Sequence, residues 1–473
     1  MNKIFRVAAV AAMTIVGAGM TNAQESVLML MQDVPQQLRY NPALATSSRS
    51  YFILPGIGGF TMSFNNTGFS FEDLYVHDKK SDEWKLNLDH LAKNFKGDNN
   101  ILQAEVDVPV LATGVRLPKG AIFWSISNRT MAEVTLPKSI LDLRYGNYDF
   151  DKQKPISHDL SDIGMKMMNF NEIALGGHYQ FFDHVAIGVT VKYLAGLISA
   201  RADNMHIKME TIDKGGRYSM HVVSKGEIEV SAPLTIENDK EGYVDDVEIE
   251  FEKVPEFMTK NSGFAVDLGA RMNFFDNRLR VGASVIDLGF LNWKVDVGRF
   301  VMDADYTYEG KDVSDNITDV DTDKGDDFWD EIGDELSKFK DMKHKSGDSY
   351  KTKLSPKVMA FGQWAIKEWL NVGAVLSLRC IDGNALTKTT ANISLRPNHH
   401  FEFIFSGGMQ PGGSLGIGGG IQATAGPFQF MLASDNMNFN IKKTKGAQIS
   451  FGINWLIGSG EGSKVGEDSS AEE

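Results

Sequence analysis

Residues 262–294 read SGFAVDLGARMNFFDNRLRVGASVIDLGFLNWK, and this stretch decides the fold. In its first half every second side chain is apolar, while the positions between carry mostly glycine, alanine and small polar groups. Alternation with a period of two places one set of side chains on one face of a β-strand. A polar turn at 275–278 separates two long arms. The pattern predicts a hairpin of a membrane-spanning β-barrel, and the alternative is an amphipathic hairpin in a soluble β-sandwich.

The rest of the chain repeats this pattern. From about Gly58 onwards we count fourteen arms, with bounds that sequence patterns place only to within a few residues. They fall near 58–71, 102–117, 121–136, 170–182, 184–198, 262–274, 278–295, 354–366, 369–380, 389–396, 400–409, 415–424, 427–436 and 446–457.

The connections between the arms alternate in length. Very short turns, such as Pro118-Lys119 and Lys367-Glu368, alternate with longer segments, of which those near 199–261 and 296–353 are the longest. Outer-membrane barrels have short periplasmic turns and longer extracellular loops. An even strand count also returns both termini to the short-turn side. We therefore predict an all-β fold, a transmembrane antiparallel β-barrel of about 14 strands over residues 58–457.

The N-terminus has the features of an export signal. Lys3 and Arg6 precede a short apolar core, and the segment ends in the small residue Ala23, so residues 1–23 are predicted to be a cleaved signal peptide. Cys380 is the only cysteine, so the chain cannot form an internal disulfide. The net charge of −14 argues against a nucleic-acid partner. The expected location is the outer membrane, with membrane lipid as a partner.

Residues 24–57 lack strand alternation and contain Asn41-Pro42-Ala43. A wall of fourteen strands encloses more space than its own side chains fill, because eight-stranded barrels are filled and barrels of sixteen to eighteen strands leave a channel. We expect this segment to be a periplasmic or lumenal plug. Proline fixes its own φ and restricts the residue before it, which suits a stiff anchor.

Three motifs also resemble a known family. Asn41-Pro42-Ala43, the stretch LPGIGG at 54–59 and SVIDLGFLNWK at 284–294 are similar to a family of outer-membrane barrels from Bacteroidetes-type bacteria. That family is related to the long-chain fatty-acid transporter FadL and to PorV of the type IX secretion system. The resemblance implies a fourteen-stranded barrel in which the Asn-Pro-Ala element begins a FadL-type hatch. It supplies no catalytic or ligand residues, because the family has no agreed active site.

Two strands carry further signals. After Val285 the alternation slips, which predicts wall bulges near Asp287 and Phe290, or alternatively inward packing of Ile286 and Leu288 on the plug. The last strand resembles the C-terminal signal read by the barrel-assembly machinery, at Ser450, Gly452, Trp455 and Ile457. Unlike that signal, this strand is followed by an acidic polar tail, 458–473.

The loop before Tyr350 is strongly acidic. Between residues 301 and 350 there are sixteen Asp or Glu against six Lys. Asp319, Asp321, Asp323 and Asp330 occupy positions 1, 3, 5 and 12 of a calcium loop, but the glycine comes one position late. We favour a solvated acidic loop over a calcium site. Apolar residues at helical spacing predict two short loop helices that line an entrance or cap the barrel, formed around Trp84, Leu88, Leu91 and Phe95, and around Phe328, Ile332, Leu336 and Phe339.

The chain has no arrangement typical of catalysis. The stretch Gly412 to Gly416 fits G-x-S-x-G, yet a strand follows where a nucleophile elbow needs a helix. The histidines are scattered without a zinc motif, so we expect no enzyme activity, no metal and no cofactor. The favoured function is FadL-like uptake or passage of a hydrophobic or amphipathic small molecule. The alternative is a PorV-like binding or scaffold protein for a secretion-system component or surface-protein partner.

Overall fold

The computed structural model describes residues 26–458, apart from 79–82, 96–97, 146–147, 150–151, 153, 162, 183, 214–217, 239, 241–243, 309–342, 382–383, 410–414 and 436–444. The predicted signal peptide, the calcium candidates Asp319, Asp321, Asp323 and Asp330, the predicted helix over 328–339 and the tail beyond 458 lie outside the described residues. None of the helices in the described part of the chain is long and apolar enough to span a bilayer.

The described strands, in chain order, are β1 Ser50–Ile53, β2 Phe60–Asn66, β3 Tyr75–Asp78, β4 Glu83–Leu86, β5 Asn99–Leu117, β6 Gly120–Pro137, β7 Tyr148–Asp149, β8 Lys154–Pro155, β9 Ser157–Asp159, β10 Gly164–Phe182, β11 Val185–Asp213, β12 Tyr218–Ser231, β13 Leu234–Asn238, β14 Val244–Ile249, β15 Ser262–Phe274, β16 Leu279–Trp293, β17 Val297–Tyr308, β18 Lys343–Ser346, β19 Tyr350–Lys353, β20 Lys357–Lys367, β21 Leu370–Ile381, β22 Asn384–Asn398, β23 Phe401–Met409, β24 Leu415–Ala425, β25 Phe428–Ser434 and β26 Gly446–Ile457. The α-helices are α1 Ser26–Leu30, α2 Phe71–Leu74, α3 Leu88–Asn94 and α4 Val254–Lys260, and 3-10 helices cover Pro35–Arg39, Lys138–Tyr145 and Phe251–Lys253.

Antiparallel pairing closes the sheet into a barrel of fourteen strands, as predicted. Around the wall the order is β1 with β2, β5, β6, β10, β11, β15, β16, β19 with β20, and then β21 to β26 in sequence. The last strand, β26, pairs with both β1 and β2 and so closes the ring. Closure satisfies the backbone groups that the edge strands of an open sheet would expose.

The alternation in the sequence becomes an apolar outer face and a polar inner face. Leu268 is 45 % exposed on the outside of β15, whereas its neighbour Asp267 is 1 % exposed and points into the lumen. The same outward exposure recurs around the wall, at Val115, Ile122, Leu175, Ile187, Val189, Val191, Phe264, Val358, Leu376, Ile393, Phe405, Ile421, Phe430 and Leu432. A ring of outward apolar residues is the surface that a bilayer requires of a barrel.

The two rims differ as the sequence indicates. Consecutive strands on one rim are joined by tight turns, including Phe275, Asp276 and Asn277, whose φ angles are 53, 52 and 64°. The opposite rim contains strands in segments that the sequence analysis predicted to be loops. The segments near 199–261 and 296–353 contain strands, since β11 runs on beyond the barrel and pairs with β12, and β12 pairs with β17. The alternation of β12 and β17 is too weakly apolar to distinguish them from loops by sequence.

Short helices also lie at this rim. α3 contains Leu88 and Leu91, but Trp84, which was predicted to belong to the same helix, lies in the hairpin strand β4. Leu91 and Phe95 are buried in a small cluster with Leu141, and Phe95 stacks on Phe69 at 6.2 Å between ring centroids. This helix therefore packs on other parts of the rim.

Candidate functional site

The N-terminal segment lies inside the barrel. α1 and the 3-10 helix Pro35–Arg39 are almost fully buried, and their apolar side chains join inward-facing wall residues in one hydrophobic cluster. The plug contributes Val27, Leu28, Met29, Leu30, Met31, Val34, Leu38, Tyr40 and Leu44 to this cluster. The wall contributes Tyr51, Phe123, Ile286, Met359, Phe361 and Met431, among others. The plug is shorter than the segment 24–57 named from sequence, because Ser50–Ile53 already pair with β5 and β26.

Polar contacts tie the start of the plug to the strands of the C-terminal half. The Asp435 carboxylate accepts hydrogen bonds from Ser26 Oγ at 2.8 Å and from the backbone N–H of Val27 at 2.7 Å, and Lys388 lies 3.4 Å from the same carboxylate. Further along, the N–H of Gln32 donates to Glu402 at 2.9 Å. The Asp435 carboxylate thereby satisfies an N–H group that the first turn of the short helix leaves open.

Asn41, Pro42 and Ala43 pack against the wall at β11, β15 and β16. The Asn41 side-chain amide donates to the carbonyls of Ala270 and Ala283, both at 3.2 Å, and its oxygen accepts from the N–H of Ala43 at 2.9 Å. Asn41 is fully buried. This Asn-Pro-Ala element is therefore held by backbone carbonyls of two neighbouring strands.

Two wall glycines make this contact possible. A Cβ at Gly269 would lie 2.1 Å from Asn41 Oδ1, and a Cβ at Gly188 would lie 2.4 Å from the carbonyl carbon of Pro42. Both distances are far below van der Waals contact, so any larger residue would push the plug off the wall. The sequence showed that this face carries small residues, but did not show that they face the plug.

Between the plug and the wall, buried and half-buried ionic groups form what we call the lumenal charge network. It comprises the carboxylates Glu105, Asp107, Glu133, Glu172, Asp267 and Asp287 and the basic residues Arg39, Arg129, Lys166, Lys192, Lys357 and Arg379. Burial of a charge is costly unless a partner and hydrogen bonds compensate it. Each member has an opposite charge within 4 Å, so the network meets that condition.

Arg129 and Asp287 are central to the network. Arg129 Nη1 lies 2.7 Å from Glu172 and 2.8 Å from Asp287, and its Nη2 lies 2.9 Å from Glu105. Lys192 Nζ approaches Asp267 at 2.7 Å and Asp287 at 2.9 Å. No sequence motif predicted this cluster, because its members come from strands that are distant in sequence. The available signal was the charged residues at inward-facing positions of otherwise apolar strands.

The backbone of β16 is irregular at Asp287. The register with β15 shifts between Val266 and Leu268, and Asp287 has a φ of 60°. Aspartate tolerates this left-handed conformation better than most residues. The irregularity directs the Asp287 carboxylate into the network, and Ile286 packs on the plug while Leu288 is exposed outside. At Phe290, where the sequence also predicted a bulge, pairing with Phe264 is in register.

The last strand places the four residues of the predicted assembly signal on both faces. Ser450 is fully buried on the lumenal side, and a Cβ at Gly452 would lie 2.7 Å from Gln36 of the plug. Trp455 and Ile457 are exposed outside near the short-turn rim. Their recognition by an assembly machinery stays a prediction.

The first wall strand is broken. β1 ends at Ile53 and β2 begins at Phe60, and the residues between them turn back on themselves through a 2.8 Å hydrogen bond from Gly58 N–H to the Leu54 carbonyl. In the described part of the chain, residues 452–454 of β26 and 108–111 of β5 do not pair with the first strand. Pro109, which has no N–H to donate, lies in that gap.

A cavity of about 100 Å³ lies between the plug and the wall and reaches this break. Its lining includes Gly58, Phe60 and Pro109 at the break, and Arg39 and Lys192 further inside. A smaller adjoining cavity of about 20 Å³ is lined by Asp107, Arg129 and Asp287, among others. Together they are the candidate binding space of this barrel.

A second group of buried side chains fills the lumen towards the long-loop rim. Trp293 is fully buried in a cluster with Phe170, Leu194 and Leu291, and its ring N–H donates to Thr352 at 3.1 Å. Phe257 of α4 is also fully buried. The lumen is therefore occupied above the charge network as well as below it.

The sequence profile of a family of unknown function, DUF5723, matches residues 42–435. The chain belongs to this family. The match covers the Pro42-Ala43 part of the plug anchor, every strand of the charge network and Asp435.

Solved structures of similar fold include transporters. The toluene transporter TbuX of Ralstonia pickettii is 9 % identical, with 90 % of this chain and 94 % of that chain covered and a TM-score of 0.43. A FadL homologue of Pseudomonas aeruginosa is 9 % identical, with 92 % and 98 % covered and a TM-score of 0.42. The toluene transporter TodX of Pseudomonas putida is 6 % identical, with 92 % and 94 % covered and a TM-score of 0.38. No curated protein matches this DUF5723 sequence.

Proposed function

We propose that this DUF5723 barrel lies in an outer membrane and passes small apolar or amphipathic molecules through its wall, without catalysing a reaction. The outward-facing apolar residues support the membrane location, because lipid-exposed strands need such a face. The buried plug supports selective passage, because it occupies the lumen that would otherwise form an open aqueous channel.

The observation that carries the proposal is the broken first strand beside the cavity. Outward-facing apolar residues frame the break, with Ile57 50 %, Val108 40 % and Val110 39 % exposed. An apolar solute in the cavity would reach lipid through the break, past the apolar residues that frame it. Such a path suits a molecule that partitions into lipid, and it does not suit an ion.

The register permits a variant that should seal the wall. From Phe52 to Phe60 the first strand advances eight positions, while its partners on β26, Trp455 and Phe451, are four positions apart. Four residues are therefore in excess against β26, and deletion of 55–58 should let the first strand run continuously beside β26. Against β5 the excess is three, from Ile53 with Ala112 to Thr61 with Asp107, so the deletion leaves one extra residue in β5, which already bulges between Pro109 and Leu111. Because four is even, the deletion keeps every later side chain on its present face.

The test is uptake of radiolabelled decanol by intact cells whose outer membrane has an outer leaflet of lipopolysaccharide. Expression of the unaltered chain should raise the initial uptake rate, and the deletion should return it to that of cells without the protein. A control in which 55–58 are replaced by Ser-Gly-Ser-Gly keeps the break and should retain uptake. Equal uptake through the sealed and unsealed barrels would reject the wall route, and no uptake through any of them would reject transport.

Location is tested separately. The chain should fractionate with the outer membrane and migrate differently on gels before and after heating, as folded barrels do. Recovery in the soluble periplasmic fraction would contradict the membrane proposal.

A further inference from the structure

The larger cavity is amphipathic. One end is lined by apolar side chains, with Leu38 of the plug facing Tyr51, Ile53, Phe123 and Met431 of the wall. The other end reaches the lumenal charge network, at the basic groups Arg39 and Lys192 and the carboxylates Asp107, Glu172 and Asp267. A ligand that fills this space would carry an apolar body and a polar head.

Two buried atoms at the polar end have no hydrogen-bond partner among the described residues, Asp107 Oδ1 and Arg39 Nη2. Asp107 is 6 % exposed and forms an ion pair with Arg39, yet no described residue donates a hydrogen bond to its Oδ1. Asp107 lines both the larger and the smaller cavity. A buried acceptor left without a donor is energetically unfavourable, so the cavity needs a hydrogen-bond donor at this place.

The charge of the network restricts what that donor is. Six carboxylates face six basic groups, so the network is balanced as it stands. A carboxylate or an ammonium head would add a buried charge with no partner left for it. A neutral hydroxyl adds a donor and no charge.

We propose that the larger cavity binds a small neutral amphiphile, whose hydroxyl donates to Asp107 Oδ1 and whose apolar body of about four carbons lies against Leu38, Tyr51 and Phe123. The size follows from the volume of about 100 Å³. A dry apolar cavity of about 150 Å³ accommodates the six carbons of benzene, so a space about two-thirds as large takes roughly four. The inference rests on the proposed function and names its ligand class.

The test compares four fluorinated probes of similar length on the purified full-length chain in dodecyl maltoside. They are 4-fluorobutan-1-ol, its isomer 1-fluoro-3-methoxypropane, 4-fluorobutanoate and 4-fluorobutylammonium. Fluorine NMR separates a protein-bound signal from free and micellar probe, and titration gives the dissociation constants. The alcohol should bind roughly tenfold or more tightly than the ether, because only the alcohol donates to a carboxylate. Both charged probes should bind more weakly than the alcohol.

Substitutions in and outside the cavity test whether the bound fluorine signal comes from a probe in this cavity. Ala174 lines the cavity, and Ala174→Met should remove the bound alcohol signal by filling the space. Ile173 is 38 % exposed on the outside, so the matched Ile173→Met should leave the signal unchanged. The double variant Arg39→Met with Asp107→Leu removes both charges together, and should bind the ether at least as tightly as the alcohol.

The results separate this site from the transport proposal. Tighter binding of the ether or of a charged probe by the unaltered chain overturns the proposal, as does a bound signal that persists in Ala174→Met. The absence of a bound signal for all four probes means that the cavity holds water only, and also overturns it. Bound alcohol in a barrel that fails the uptake test keeps the site and rejects transport. Uptake without a bound alcohol signal rejects only the site.

Discussion

Replacement of Asn41 by leucine should release the plug while the barrel stays folded. Leucine is close to asparagine in size but makes no side-chain hydrogen bonds. The change leaves the carbonyls of Ala270 and Ala283 and the N–H of Ala43 without their Asn41 partner. A hydrogen bond contributes about 0.5–1.5 kcal/mol net, so three are worth about 1.5–4.5 kcal/mol. The central value, about 3 kcal/mol, corresponds to roughly a hundredfold more released plug.

Trypsin provides the measurement, because Arg39 lies two residues before Asn41 and its backbone is enclosed in the lumen. Cleavage after Arg39 requires the plug to leave, and in the regime of fast opening and closing its rate follows the open population. The purified barrel is digested in detergent, and the fragment ending at Arg39 is quantified by mass spectrometry. Asn41→Leu should accelerate this cleavage by about a hundredfold.

A matched control removes side-chain hydrogen bonds elsewhere. Asn398 accepts from the N–H groups of His400 and Phe401 at a short turn, at 2.9 and 3.1 Å. Asn398→Leu should leave cleavage after Arg39 unchanged. If Asn41→Leu accelerates cleavage less than about threefold while heat-modifiable migration persists, the Asn-Pro-Ala contact does not hold the plug.

Other predictions address the wall, the network and the acidic loop. Leu268→Arg should impair assembly far more than Arg271→Ala, because a charge on the lipid face near mid-strand costs about 2–4 kcal/mol; equal yields of folded barrel would show that the faces are misassigned. Arg129→Met should destabilise the barrel by about 3–5 kcal/mol, since it leaves buried carboxylates such as Asp287 without their partner; an unchanged urea midpoint would contradict this. Calcium titration of the full chain should detect no tight site, and a micromolar site lost in Asp321→Ala would overturn the assignment of a solvated loop. The scaffold alternative predicts co-purification of a secretion component after gentle detergent extraction.

The sequence by itself determined the wall. Strand alternation has a period of two and turns are local, so fourteen arms and the unequal rims are visible without any knowledge of partners. The same local evidence identified a segment near the N-terminus that is unsuited to strands, and the Asn-Pro-Ala element within it. It missed β1, because four residues are too few to show a period, and it therefore extended the plug to residue 57.

Only the tertiary structure decided the contents of the barrel. Arg129 and Asp287 are 158 positions apart, and no local pattern relates them; the closed wall brings them to 2.8 Å. The break opposite Pro109 depends on pairing with both β5 and β26, whose registers differ on either side of residues 54–59. Strand periodicity reports which face a side chain takes, whereas the lumen depends on which strands become neighbours and how far each is shifted. That information arises only when the barrel closes.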